Sequence, residues 1–119
     1  MVEYEDIVDR RRRYSALLDK SLESLIETLS RRPDILRISI FGSYAQGRTD
    51  LFTDLDVLVI MDSARPFIER QRELYELLGL PVDLDLLCYT PGEFDKIKDR
   101  PFFRHALRSE RVLYEKKSA

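Results

Sequence analysis

The stretch Ile38-Ser39-Ile40-Phe41-Gly42-Ser43-Tyr44-Ala45-Gln46-Gly47-Arg48-Thr49-Asp50-Leu51-Phe52-Thr53-Asp54-Leu55-Asp56-Val57-Leu58-Val59-Ile60-Met61-Asp62 decides how the rest of the chain is read. It divides into a strand, a tight glycine turn, a short helical piece, a loop and a second strand. Ile38 to Phe41 are β-branched, small or aromatic, as a buried strand requires. Gly42-Ser43 stops that strand, and a glycine there lets the backbone turn sharply and come close to a ligand. Tyr44-Ala45-Gln46 can start a helix with Ser43 as its N-cap, and Gly47 ends it. A helix start that combines unpaired N–H groups with a hydroxyl suits an anion.

The second strand is expected over Thr53 to Ile60, with Asp54 and Asp56 at its entrance. Alternate side chains of a strand share a face, so both carboxylates point the same way, with their Cα atoms roughly 7 Å apart. Like charges on a mostly apolar strand are costly unless something positive lies between them. Mg²⁺ answers that need, because it takes a few carboxylates together with substrate phosphates. An isolated pair of this kind is usually a solvated loop. Here a phosphate cradle (Gly42, Ser43) and a divalent-cation clamp (Asp54, Asp56) lie about ten residues apart on consecutive strands, which favours the functional reading.

Gly42-Ser43-Tyr44-Ala45-Gln46-Gly47, a loop, and then Thr53-Asp54-Leu55-Asp56-Val57-Leu58-Val59 together resemble the G-S-x-x-x-G…[ST]-D-x-D-x-x-V pattern of the DNA polymerase β-like nucleotidyltransferase superfamily. The chain's size resembles that of the minimal nucleotidyltransferase branch. The resemblance spans roughly Ile35 to Tyr114 and implies an α/β (α+β) fold, a small mixed sheet of about four strands flanked by helices. It also implies a third carboxylate from a neighbouring strand. Asp83 fits that position by its place in the strand predicted over Pro81 to Tyr89, and Asp85, on the same face, competes for it. Asp54, Asp56 and Asp83 would then be catalytic and hold two Mg²⁺ ions, with ATP or another nucleoside triphosphate as substrate. Gly42 and Ser43 would cradle the β- and γ-phosphates, with Arg48 adding positive charge. Gln46 departs from the pattern where Arg or Lys is common, and Thr53 replaces the commoner Ser. Leu51 and Phe52 have no evident purpose in the loop.

Composition bounds these readings. The 119 residues suit one domain with one core, taken as residues 1–119 with a catalytic core over 35–114. Lys and Arg total 20 against 22 Asp and Glu, so the net charge of −2 argues against a dedicated duplex nucleic-acid binder. One cysteine allows no internal disulfide, which agrees with a cytoplasmic setting. No apolar run approaches a membrane span, and the charged N-terminus is no signal peptide.

Outward from the central stretch, Ile7, Tyr14, Leu17, Leu18, Leu22, Leu25, Ile26 and Leu29 recur at helical spacing, predicting a helix over 5–32. Arg10-Arg11-Arg12-Arg13 lies within it and points in every direction, so it reads first as a solvated surface and otherwise as a contact for nucleic acid or an acidic partner. Ile35 to Phe41 is the first strand. Phe67 to Leu78 is predicted as a crossover helix with Phe67, Leu74, Tyr75, Leu77 and Leu78 inward and Gly79 as its cap. Cys88 reads as a small buried residue. Thr90 and Glu93 have capping-box spacing for a helix to about Lys98. A further helical piece runs from Pro101 to Ser109 with Phe102, Phe103, Ala106 and Leu107 as its apolar side, and Val112 to Tyr114 is a last short strand. His105 is the sole histidine and reads as a surface or half-buried residue.

The chemistry that the resemblance implies is attack of an acceptor hydroxyl on the α-phosphate of a nucleoside triphosphate, with pyrophosphate leaving. Members of the minimal branch are often paired with a small helical protein of the HEPN type. By that resemblance this chain would be the antitoxin that attaches AMP to a tyrosine of its partner. A different class of function, a non-catalytic subunit docking a helical partner through residues such as Tyr4 or Tyr14, would leave three acidic groups without a reason. Nucleic acid as a partner, the base preference, and assembly as a homo-oligomer are left open by the residues themselves.

Overall fold

The structure is a computed structural model that describes the backbone of residues 2–117 and the side chains of residues 6–117. Helix α1 (Val2–Ser30) is followed by β1 (Ile35–Phe41), α2 (Gly42–Ala45), β2 (Leu55–Met61), α3 (Phe67–Leu78), β3 (Leu84–Tyr89), α4 (Pro91–Ile97) and α5 (Pro101–Ala106). A 3₁₀ turn (Leu107–Ser109) then leads into β4 (Arg111–Glu115). The strands form one sheet in the order β3-β2-β1-β4. β1 runs antiparallel to β2 and β4, and β2 runs parallel to β3 across the α3 crossover. The expected mixed four-strand sheet is therefore present. None of the helices described is long and apolar enough to cross a membrane.

Strand alternation divides the sheet's side chains between two layers. Ile38, Ile40, Val57, Val59, Leu86 and Cys88 face a core closed by Leu18, Leu22, Leu25 and Leu29 of α1 and Leu74 of α3. Phe41, Leu58 and Ile60 face the other way, under Phe94 of α4 and Ala106 and Leu107 beyond it. Asp56 and Asp85 alternate with core residues and fall on this second face. The carboxylates thus emerge on the α4–α5 side while α1 supplies most of the packing on the opposite side.

α3 lies beside the free edge of β3 and occupies its hydrogen-bonding groups. Tyr75 Oη donates to Leu84 O and accepts from Leu86 N (2.9 and 2.8 Å), and the Gln71 amide bridges Leu86 O and Cys88 N (both 2.6 Å). An edge closed this way cannot recruit another strand. The predicted inner face of α3 is corrected here. Leu77 is 48% exposed and Tyr75 faces the strand edge, whereas Arg70 is buried. Its guanidinium pairs with Glu93 and donates to Arg65 O (2.5 Å), beside the Phe67 ring. Phe102, predicted on the apolar side of its helix, is 59% exposed.

Glu93 has two roles. Thr90 N donates to its carboxylate (2.9 Å) while Glu93 N donates to Thr90 Oγ1 (3.2 Å), the expected capping box, and the same carboxylate balances Arg70. Glu93→Ala is expected to destabilise the fold by about 2 kcal/mol, a lost cap plus a buried cation left short of partners. Glu69→Ala, which removes only an exposed pair with Arg65, is expected to stay within about 0.5 kcal/mol. Urea unfolding of both variants checks the contrast.

Candidate active site

The glycine turn is built by a steric demand. Gly42 has φ +76°, and a Cβ on it would lie 2.2 Å from Asp56 Oδ2. Only a residue without a side chain lets β1 turn this tightly against the second carboxylate. Gly42 N is held by Ser109 Oγ (3.1 Å), which ties the turn to the 3₁₀ segment before β4. Glu110, next in the chain, accepts from Arg37 Nη2 (2.5 Å) and Ser39 Oγ (2.6 Å) on β1. α2 begins at Gly42, with Phe41 in the N-cap position and no side-chain cap. Ser43 is therefore inside the first turn rather than its cap, and its side chain is exposed.

The ladder between β2 and β3 places Asp56 directly beside Asp85 and Leu55 beside Leu84. Asp83 precedes β3, contrary to its expected place within the strand. Pro81 lacks the N–H that a longer strand would use, so pairing thins out here to a single bond from Leu55 N to Asp83 O (3.0 Å). Asp85 thus stands against Asp56, while Asp83 stands nearer Asp54 and the Tyr14 phenol.

The electrostatics follow from that arrangement. Burial, then the charges of Asp85 and Asp54, push Asp56 from the usual 3.8 up to about 6, and its carboxyl is close enough to Asp85 to share a proton. Asp54 is also raised, by desolvation first and then by Asp83 and Asp85. Among the described residues, no three acidic, histidine or cysteine groups close into a cage for a metal ion. The donor set nevertheless fits a hard cation: all-oxygen ligands and an excess of negative charge that burial makes costly.

Two cavities meet at Asp56. One, about 300 Å³, is lined by Ser43, Arg48, Asp54 and Asp56, with Phe52 at its lip. Arg48 donates to the Gln46 side chain, so the residue that departs from the pattern positions the cation expected to compensate for it. Phe52 is 90% exposed. The other cavity, about 740 Å³, is bordered by Gly42, Gln46, Asp56 and Asp85. Gly42, Ser43, Arg48, Asp54 and Asp56 are thus gathered around one point, and Asp83 lines neither cavity. On the opposite side, α1 braces the loop: Tyr14 Oη donates to Thr53 O (2.8 Å).

Residues 23–119 match the family described as Polymerase beta, Nucleotidyltransferase. The chain belongs to this family. It is a nucleotidyltransferase. The protein adenylyltransferase MntA of Thermococcus cleftensis is 36% identical over an alignment of 72 residues, with 55% of this chain and 73% of that relative covered. Crystal structures of low identity share the fold. One of an MntA–HpeT toxin–antitoxin pair aligns with a TM-score of 0.54 at 22% identity, over 83% of this chain and 73% of that one. Another, of a toxin–antitoxin with AMP-PNP, gives 0.56 at 22% identity over 82% and 73%. A Sulfolobus solfataricus protein assigned as a nucleotidyltransferase gives 0.55 at 19% identity over 92% and 87%.

Sequence patterns did not mark Ser109, which holds the nucleotidyltransferase turn, or Glu110, which holds β1, from the far end of the chain. No local signal marks them, because their partners lie 67 and 71 residues away.

Folding raises the Asp56 pKa, so the folded chain binds a proton that the unfolded chain has released between about pH 4 and pH 6. Stability owed to this group therefore falls as pH rises through that window, and ionised Asp56 is a cost above it. Asp56→Asn in EDTA is expected to raise the melting temperature at pH 7.5, with the gain vanishing at pH 4. Thermal unfolding of both chains at the two pH values measures it.

Proposed function

We propose that this nucleotidyltransferase moves AMP from ATP to the hydroxyl of a tyrosine on a small helical partner of the HEPN type, acting in the cytoplasm as the antitoxin of a toxin–antitoxin pair. The observation that carries the catalytic part is the Asp56–Asp85 pair set directly behind a turn that only glycine can make. The adenylyl donor and protein acceptor are supported by the relative named as a protein adenylyltransferase and by the fold shared with a toxin–antitoxin structure containing AMP-PNP.

Each residue has a task in this reading. Ser43 and Arg48 bind the β- and γ-phosphates, helped by N–H groups in the first turn of α2. Asp54, Asp56 and one carboxylate of the β3 region would hold Mg²⁺, two ions in this reading, whose charge would offset that of the triphosphate and of the reacting oxygens. The acceptor oxygen forms a bond to the α-phosphorus as the bond from phosphorus to the α,β-bridging oxygen breaks, and pyrophosphate departs. The acceptor's proton passes to the β3 carboxylate and on to solvent.

Asp83 and Asp85 both remain candidates for the third position by sequence. The register favours Asp85, which is paired with Asp56 and faces the cavity, over Asp83 at the root of the strand. The docking-module reading is weakened because Tyr14 is half-buried and its hydroxyl is occupied by Thr53, while the Tyr4 side chain lies outside the described residues. Arg10, Arg11, Arg12 and Arg13 are all exposed, as a solvated helix surface requires.

Incubation with ATP labelled in the α-phosphate, Mg²⁺ and the product of the adjacent gene is expected to label that protein. Asp54→Asn with Asp56→Asn should abolish the label, and label that persists would remove the site assignment. Asp85→Asn is expected to slow transfer by about 10²-fold or more, the usual scale for losing a proton acceptor, and Asp83→Asn by less than about tenfold. The reverse order would return the third position to Asp83.

A further inference from the structure

We infer that the 740 Å³ cavity beyond Asp56 and Asp85 is the acceptor's entry, shaped for a phenol, and that Phe102 on α5 selects the phenol ring. This rests on the nucleotidyltransfer reading and deepens it. In phosphoryl and nucleotidyl transfer the attacking and leaving oxygens lie roughly in line on opposite sides of the reacting phosphorus. In that reading pyrophosphate leaves toward Ser43 and Arg48, which line the smaller cavity together with Asp50, Asp54 and Asp56. The acceptor then approaches from the other side, and the larger cavity, which also borders Asp56 and has Asp85 on its wall, offers the space.

The lining of that cavity names the acceptor's chemistry. Its floor is apolar, formed by Phe41, Leu87 and Ala106. A serine or threonine hydroxyl carries too little apolar surface to fill such a floor, whereas an aromatic ring that ends in a hydroxyl covers it and brings an oxygen to the carboxylate wall. Phe102 stands at the rim, 59% exposed and edge-on to Phe103 with ring centroids 5.0 Å apart. An exposed ring held in place by a second ring is a ready stacking partner. His105 and Arg108 also line the cavity and can donate hydrogen bonds to the backbone of an incoming tyrosine.

The test uses amide NMR shifts of the whole chain with Mg²⁺ and AMP-PNP, then with N-acetyl-tyrosinamide or N-acetyl-serinamide as acceptor probes. AMP-PNP is expected to move the amides of Ser43 and Arg48. N-acetyl-tyrosinamide, added afterwards, should move those of Leu87, Phe102 and Ala106, and N-acetyl-serinamide should leave them unmoved. Phe102→Ala should weaken the tyrosinamide response about tenfold, on the scale of an aromatic pair contact. Shifts at Leu87 and Ala106 caused by AMP-PNP alone, with tyrosinamide excluded, would make the cavity the nucleoside site and overturn the inference while keeping nucleotide binding. Equal response to both acceptor probes would overturn the selectivity for a phenol. AMP-PNP that moves neither set of amides would overturn the nucleotidyltransfer reading and this inference with it.

Discussion

Two carboxyl groups held side by side by a parallel β ladder set the terms for the whole molecule. Asp56 and Asp85 are register partners on β2 and β3, and the turn at Gly42 presses against Asp56 so closely that no side chain fits between them. Burial and mutual repulsion make this arrangement unfavourable in isolation, which is why Asp56 holds its proton up to about pH 6. A fold that keeps such a pair together must hold it from several directions. The cost is of the kind found where chemistry, rather than stability, decides the residues.

The supports are spread through the sequence. α1 packs four leucines under the sheet and braces the loop before β2 through Tyr14. α3 closes the edge of β3 with Gln71 and Tyr75, so the strand that carries Asp85 has little freedom to slip. From the other end of the chain, Ser109 holds the N–H of Gly42, and Glu110 joins Arg37 and Ser39 on β1. Arg70, buried between α3 and the cap of α4, links the two layers on the side of Cys88. Each of these contacts fixes the position of a strand end, and the strand ends carry the site.

Much of this was legible in the residues. Helix α3 and strand β1 start and end as their periodicity and their glycine and proline punctuation indicated, and the Thr90–Glu93 box formed with both of its bonds. The glycine turn and the first two aspartates were marked by spacing alone. Which of Asp83 and Asp85 stands beside Asp56 was not, because alternation gives a residue's face but not its register, and register comes from the pairing of Leu55 with Leu84 across a crossover. Leu77 and Phe102 show the same limit from the apolar side. Their pattern fits an inner face, yet both side chains stand largely in solvent. Arg70 was missed because a search for apolar periodicity passes over a cation that is buried with its partners. Ser109 was missed because nothing nearby in the chain reveals a contact with Gly42.

The β2 and β3 carboxyls crowd one another at the mouth of the glycine turn, and the divalent cation proposed for the site would relieve the crowding. The most direct measurement is the pH titration of the Asp56 carboxyl carbon by NMR, first in EDTA and then with Mg²⁺ and AMP-PNP. A midpoint near 6 is expected without the cation. With Mg²⁺ and AMP-PNP the midpoint should drop below the ordinary aspartate range, because a bound cation favours the charged form. A midpoint in the ordinary range, unmoved by Mg²⁺ and AMP-PNP, would contradict both the crowding and its relief.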